Sequence, residues 1–321
     1  MDEIKVSVIC AAYNHEKYIE DAIRGFLKQK TNFKFEVFIH DDASTDNTAA
    51  IIKKYADQYP ELIRPIFQKE NQYSQHISFF KNDILPLARG KYLAVCEGDD
   101  YWVDENKLQK QADYLDAHPD CSFCCGACLE VNLDGTTRRE LHPFDRAGEY
   151  TMNDFPYIKT NIPTATMMYR IEYVDLQGMK FSSHTRGFHI GAKPRQMFLL
   201  TKGSMYYDDS ILSAYRIGNS QSWMGQMLKA NVETRVRSLD ASVKMMKCFD
   251  EETEGKYHDA VEFMIREQEF AKARLLLDYP TIRDKKNKYF YDKMSRKDKL
   301  KLWMQRKTPR LYALVMKRRS A

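Results

Sequence analysis

No G-x-x-x-x-G-K-[ST] motif occurs anywhere in the 321 residues, and the turn after the first apolar run, AAYNHEK (11–17), holds no glycine. The first absence excludes a P-loop site. The second disfavours a dinucleotide dehydrogenase, whose phosphates need a glycine-rich turn for close backbone approach. The longest apolar run of the C-terminal tail, LYALVM (311–316), is six residues, far short of the roughly 20 that cross a bilayer. The first residues, MDEIKVSVICAAYN, carry acids where a secretory leader carries positive charge. A cytoplasmic location is therefore expected, and the seven cysteines are most simply reduced thiols.

What is present describes a globular chain with a real core, 43% hydrophobic and 12% aromatic, long enough for one large domain or two smaller ones. Four cysteines crowd into CSFCCGAC (Cys121, Cys124, Cys125, Cys128), with two C-x-x-C spacings. Zinc sites usually separate two such pairs by a long spacer, and here the pairs abut. On a strand Cys124 and Cys128 face one side and Cys125 the other, so buried small apolar residues are the expectation. Charge is divided along the chain. Residues 285–321 hold 14 Lys/Arg against two acids, so the net +5 of the whole leaves residues 1–284 acidic.

The first 130 residues alternate strand and helix patterns. Strands are expected at 4–10, 35–40, 63–67, 91–95 and 121–131, with Pro65 marking 63–67 as an edge. Tyr18, Ile19, Ala22, Ile23, Phe26 and Leu27 share one helical face. A second helix opens after Ser44 or Thr45 as cap, a third lies around 78–88, and Asp104 caps a fourth through Leu108, Ala112 and Leu115. Strands separated by helices imply parallel pairing with helices on both faces, and such sheets bind ligands beyond the carboxyl ends of their strands.

Three polar clusters fall at those ends: Tyr13-Asn14 after the first strand, Asp41-Asp42 after the second, and Glu97–Asp100 (EGDD) after the fourth. Taken alone, DDAS reads equally as a helix-capping turn, whereas a plain solvated turn fits EGDD poorly because Tyr101-Trp102 after it favour burial. Convergence from three stretches instead favours a hard divalent cation, which takes oxygen ligands and often a substrate's phosphates. Asp42 stands where an acid accepts hydrogen bonds from a nucleotide's ribose or base.

VSVICAAYNHEKYIEDAIRGFLKQ, FEVFIHDDASTDNT and GKYLAVCEGDDYWVDENKLQKQADYLDAHP, in that order, resemble the family-2 glycosyltransferases of the bacterial surface and capsular polysaccharide branch, over roughly residues 4–225. The resemblance implies a GT-A fold: a mostly parallel α/β sheet with flanking helices over 1–225 (a nucleotide-sugar half to about 130, an acceptor half to 225), followed by a helical basic extension over 226–321. It implies inverting transfer from a nucleoside diphosphate sugar, a UDP-sugar most readily, to a glycan or lipid-linked acceptor, with Mn2+ or Mg2+. By position, Tyr13 and Asn14 begin the nucleotide pocket and Asp42 contacts the base. Asp99 and Asp100 form the metal motif, with Asp100 the direct ligand and Glu97 a supporting acid.

The pattern breaks in the second half. The family's general base is usually the Asp of a Gly-Asp step, and here HIGAKPRQ puts Ala192 after Gly191. Gly218 stands where a Tyr-Arg-x-His segment has its His, while Arg216 remains to pair with the diphosphate. His189 is the nearest substitute base, with Asp208 and Asp209 as others. Inactivation at Ala192, or a protein that binds nucleotide-sugar without turnover, are the competing readings. Beyond residue 226 a helix is expected over 257–278, with Val261, Met264, Ile265, Ala271 and Leu275 on one side. The basic, aromatic stretch 285–321 reads as a solubilising helical hairpin or as a dock on an anionic membrane surface at the inner face of the plasma membrane. It contains no recognisable nucleic-acid module.

Overall fold

With Val6, Val8 and Cys10 buried on one face and Ser7 and Ile9 buried on the other, this run can belong only to a central strand. The computed structural model, which describes residues 3–75, 77, 79–173, 192–219 and 223–308, places them in β1 (Ile4–Ala12). Contacts divide the chain into two compact units, Met1–Gly178 with Gly191–Gln226, and Met179–Ile190 with Met227–Ala321.

In the first unit β1 is followed by α1 (Ile19–Leu27), β2 (Lys34–Asp41), α2 (Thr48–Gln58), β3 (Ile63–Phe67) and β4 (Tyr92–Val95). Next come β5 (Tyr101–Trp102), α3 (Lys107–Ala117), β6 (Cys121–Val131), β7 (Thr137–Leu141), β8 (Gly148–Tyr150), β9 (Met168–Arg170), α4 (Lys193–Lys202) and β10 (Ser204–Arg216). The sheet runs β3-β2-β1-β4-β9-β6-β10-β5. β1 pairs in parallel with both β2 and β4, so the direction of winding switches there. β3, carrying Pro65, is the expected edge. The mostly parallel α/β sheet is the fold the sequence implied. Its second half adds antiparallel pieces that the alternation of patterns did not show: β9 between β4 and β6, β7 on β6, β8 on β10, and the two-residue β5.

Tyr101-Trp102 locks the acidic turn to the core. Trp102 is buried, packs edge-to-face on Phe26 at 4.8 Å, and donates Nε1–H to the Ala165 carbonyl at 2.8 Å. Gly25 permits this approach, because a Cβ there would lie 3.0 Å from the Trp102 backbone. All four clustered cysteines are buried free thiols on β6.

Several expected boundaries shift for local reasons. Ser44 and Thr45 do not cap α2; its N-cap is Asn47, and Asp46 Oδ1 accepts from the Thr48 N–H at 2.9 Å. α3 likewise starts at Lys107 behind Asn106, with Asp104 accepting from the Asn106 N–H at 2.8 Å. The helix expected around 78–88 is confined to a short wide-turn segment, Phe80–Ile84, since Pro86 has no N–H to prolong it.

The boundary between the units falls within α5 (Trp223–Lys229), and the second unit holds α6 (Val232–Glu252), α7 (His258–Leu276), α8 (Tyr279–Arg283), α9 (Lys288–Lys293) and α10 (Arg296–Lys307). α7 buries Ala260, Val261 and Met264, then Phe270 and Ala273 in place of the expected Ala271 and Leu275. Its inner face turns because its C-terminal half packs into a different cluster, with Ile282, Phe290, Met294 and Leu302.

Candidate active site

β1, β2 and β4 end at Ala12, Asp41 and Val95, so three loops leave the sheet side by side at one edge. The first two are stitched together. Asn14, at φ 54°, donates its N–H to Ser44 Oγ at 2.9 Å and accepts from the Thr45 N–H at 2.8 Å. The His15 N–H reaches Thr48 Oγ1 at 2.8 Å. Ser44 and Thr45 are drawn from capping duty by these cross-loop bonds. Tyr13 beside them is 42% exposed, an open aromatic face at the rim.

Asp42 is buried, and its carboxylate accepts from the backbone N–H groups of Gln72 (2.7 Å) and Tyr73 (3.1 Å). The Asn71 side chain donates to its carbonyl at 3.1 Å. Asp42 thus shapes the 71–75 turn over the rim. Asp41 Oδ1 and Gln72 Oε1, both buried, have no hydrogen-bond partner among the described residues.

The third loop carries Glu97, Asp99 and Asp100. Gly98 is needed between them: a Cβ there would stand 2.9 Å from His15 Nδ1 and 3.0 Å from Ile19 Cδ1. Burial, then the charge of Asp99, pushes Glu97 up to about 7 against a hydrogen bond with Thr164, and Glu97 Oε2 has no hydrogen-bond partner among the described residues. Burial, then Asp99 and Glu97, also raises Asp100 well above the usual carboxylate range. Asp99 is the more open of the pair. Its Oδ2 accepts from Asn219 Nδ2 at 3.3 Å and lies 3.9 Å from His15 Nε2. Burial lowers the His15 pKa against the opposing pull of Asp99.

Arg216, at the end of β10, braces this turn. Its backbone N–H donates to Asp100 Oδ1 at 2.8 Å, one guanidinium N–H donates to the Asp99 carbonyl at 2.9 Å, and another to Asp21 of α1. The guanidinium is sandwiched between Tyr18 (5.0 Å) and Tyr101 (4.7 Å). The side chain is 3% exposed; its two terminal nitrogens bond protein atoms, and its buried Nε has no hydrogen-bond partner among the described residues. Asp100, the expected direct metal ligand, correspondingly spends one oxygen on the Arg216 backbone.

Hard carboxylate oxygens, one of them buried and unpartnered, fit a divalent cation. Among the described residues no three acids, histidines or cysteines close on a common point. The fit is therefore to an ion held by one or two carboxylates and completed by a ligand's phosphates.

The acceptor side is less complete. Ala192 is the N-cap residue of α4 and has no side-chain cap. His189 lies outside the described residues. Asp208 and Asp209 sit mid-strand on β10; Asp208 pairs with Gly126 and Arg216 with Val131, five residues apart on β6, which at about 3.3 Å per residue puts Asp208 about 17 Å along the sheet from Arg216 and the turn it braces. Sequence patterns gave no sign of Arg195, on α4, whose charge acts on Glu97 and whose NH1 donates to Tyr169 OH at 2.7 Å.

The family model described as glycosyl transferase family 2 matches residues 7–176. An uncharacterized protein of Mycobacterium tuberculosis is 42% identical over 165 residues, 51% of this chain and 46% of that protein. The putative teichuronic acid biosynthesis glycosyltransferase TuaG of Bacillus subtilis is 32% identical over 163 residues, 51% of this chain and 61% of TuaG. The chain thus matches less than two thirds of the length of either relative. Among solved structures, S. aureus TarS 1–349 in complex with UDP-GlcNAc shares the fold with a TM-score of 0.51 at 17% identity, covering 84% of this chain and 90% of that one.

Proposed function

Because this chain belongs to glycosyl transferase family 2, we propose that it transfers one sugar, with inversion, from a nucleoside diphosphate donor to a hydroxyl of a bacterial glycan or lipid-linked acceptor. The observation that carries this reading is the meeting of Tyr13-Asn14, Asp42 and the Glu97–Asp100 turn at the ends of three adjacent strands. A UDP-sugar is the favoured donor, in keeping with the UDP-GlcNAc held by TarS.

In this reading Tyr13 lies against the base, and the 71–75 turn held by Asp42 closes over the nucleoside. Asp99 and Asp100 would hold a Mn2+ or Mg2+ ion, with Glu97 behind them. Such an ion, when bound, neutralises charge that grows on the departing diphosphate. Arg216 keeps the acidic turn in place. The acceptor oxygen bonds to the anomeric carbon as the carbon–phosphate-oxygen bond breaks, and the diphosphate leaves with that electron pair. The acceptor proton passes to a base, for which Ala192 offers no atom and His189 is the candidate from sequence.

The test is a transfer assay with UDP- and GDP-sugars, using the wild-type protein, His189→Ala and Ala192→Asp. Because a positioned general base is typically worth about 10²–10⁴-fold, turnover with His189 as the base should fall by about 100-fold or more in His189→Ala and change little in Ala192→Asp, whereas a gain of that size in Ala192→Asp would mark a missing base. Absence of transfer by wild type and Ala192→Asp with every donor they bind would leave a nucleotide-sugar binder without catalysis.

A further inference from the structure

The outward face of α10 is built unlike the inward one. Leu302 is buried with Ile282, Phe290 and Met294, whereas Leu300 and Trp303 are 56% and 54% exposed. At 100° per residue, Arg296, Leu300, Trp303 and Lys307 fall along a single stripe. Lys297 and Lys301 border one side of it, and these four basic residues are all exposed.

The other charges of this helix are occupied. Asp298 accepts from the Ser295 hydroxyl at 2.8 Å, Lys299 donates to the Asp292 carbonyl at 2.9 Å, and Arg306 covers the Tyr279 ring at 5.0 Å. The stripe is left with two large apolar side chains between Arg296 and Lys307, and with Lys297 and Lys301 along one side. A tryptophan and a leucine at the level of long basic side chains suit the boundary between lipid headgroups and acyl chains.

We infer that this face of α10 docks on an anionic lipid surface, with Leu300 and Trp303 entering the interface and Arg296, Lys297, Lys301 and Lys307 meeting the phosphate headgroups. Charge complementarity chooses this occupant, since ten Lys/Arg face two acids over residues 285–308. No described helix is long and apolar enough to cross a membrane, so the contact is peripheral. The inference stands on the helix face alone and does not rest on the transferase reading.

The test is sedimentation of the full chain with vesicles of phosphatidylcholine, alone or mixed with phosphatidylglycerol. The wild type, Leu300→Ser/Trp303→Ser and Lys297→Ser/Lys301→Ser are compared. The substituted positions are exposed, so each variant keeps the wild-type melting temperature. The wild type is expected to pellet only with the phosphatidylglycerol vesicles and to be released by salt. Each double variant is expected to bind at least about tenfold more weakly. Equal pelleting with pure phosphatidylcholine, wild-type binding by Leu300→Ser/Trp303→Ser, or duplex DNA or RNA bound more tightly than the anionic vesicles would overturn the inference.

Discussion

Arg216 donates its backbone N–H to Asp100 Oδ1 at 2.8 Å across 116 positions of sequence. That bond joins the end of β10 to the turn after β4, the two halves of the sheet meeting at the acidic cluster. The guanidinium adds the Asp99 carbonyl and Asp21.

Replacing Arg216 with Ala is therefore expected to destabilise the protein by about 3 kcal/mol, since a buried, charge-assisted network loses its centre. Nucleotide binding should weaken as well. Asp21 is half-exposed, so a double-mutant cycle between Asp21→Asn and Arg216→Ala should return only about 1 kcal/mol of coupling. Urea unfolding of the four proteins measures both quantities. A coupling near zero would show that Asp21 contributes nothing to holding the arginine.

Asp42 is expected to act through the turn it holds. Asp42→Ala leaves the Gln72 and Tyr73 N–H groups without their acceptor, at a cost of about 1–3 kcal/mol, and should loosen the 71–75 turn proposed to cover the nucleotide. Asp42→Asn keeps one acceptor oxygen and should fall between wild type and Ala, both in thermal stability and in affinity for UDP. Calorimetric affinities ranked otherwise would detach Asp42 from the pocket.

The acidic turn should make stability depend on pH. Glu97 sits at about 7 when folded against an ordinary 4.5, so the folded state binds its proton first as pH falls. Stability from this group is thus gained on going down from above pH 7 to about pH 4.5 and lost on going up, by about 3 kcal/mol in all. Glu97→Gln removes that dependence. Relative to wild type, the variant should gain about 2 kcal/mol between pH 5 and pH 8 in urea unfolding. A constant difference across that range would show that Glu97 titrates normally.

Much of the rim was legible because its signals are local. β1, β2 and β4 are short apolar runs, each ending in a polar cluster, and helix-period spacing set the inner faces of α1 and α3. Partners far apart in sequence were not legible. Nothing near Arg216 points to Asp21, which lies 195 positions away, so this protein partner of its charge could not be read from the sequence. Ser44 and Thr45 have the chemistry of helix caps, and only tertiary pairing with Asn14 assigns them elsewhere. β5, β8 and β9 are two or three residues long, too short for a period to show. The inner face of α7 was missed after Met264 because the partners packed on it change along its length.

The account turns on oxygen atoms of the Glu97–Asp100 turn taking a cation together with a nucleoside diphosphate. Titration calorimetry of UDP, with and without Mn2+, on wild type, Asp99→Asn and Asp100→Asn tests this most directly. Wild type is expected to bind UDP at least about tenfold more tightly with Mn2+, and both variants should lose that gain. No Mn2+-assisted uptake of any nucleoside diphosphate by wild type, or an undiminished gain in both variants, would contradict it.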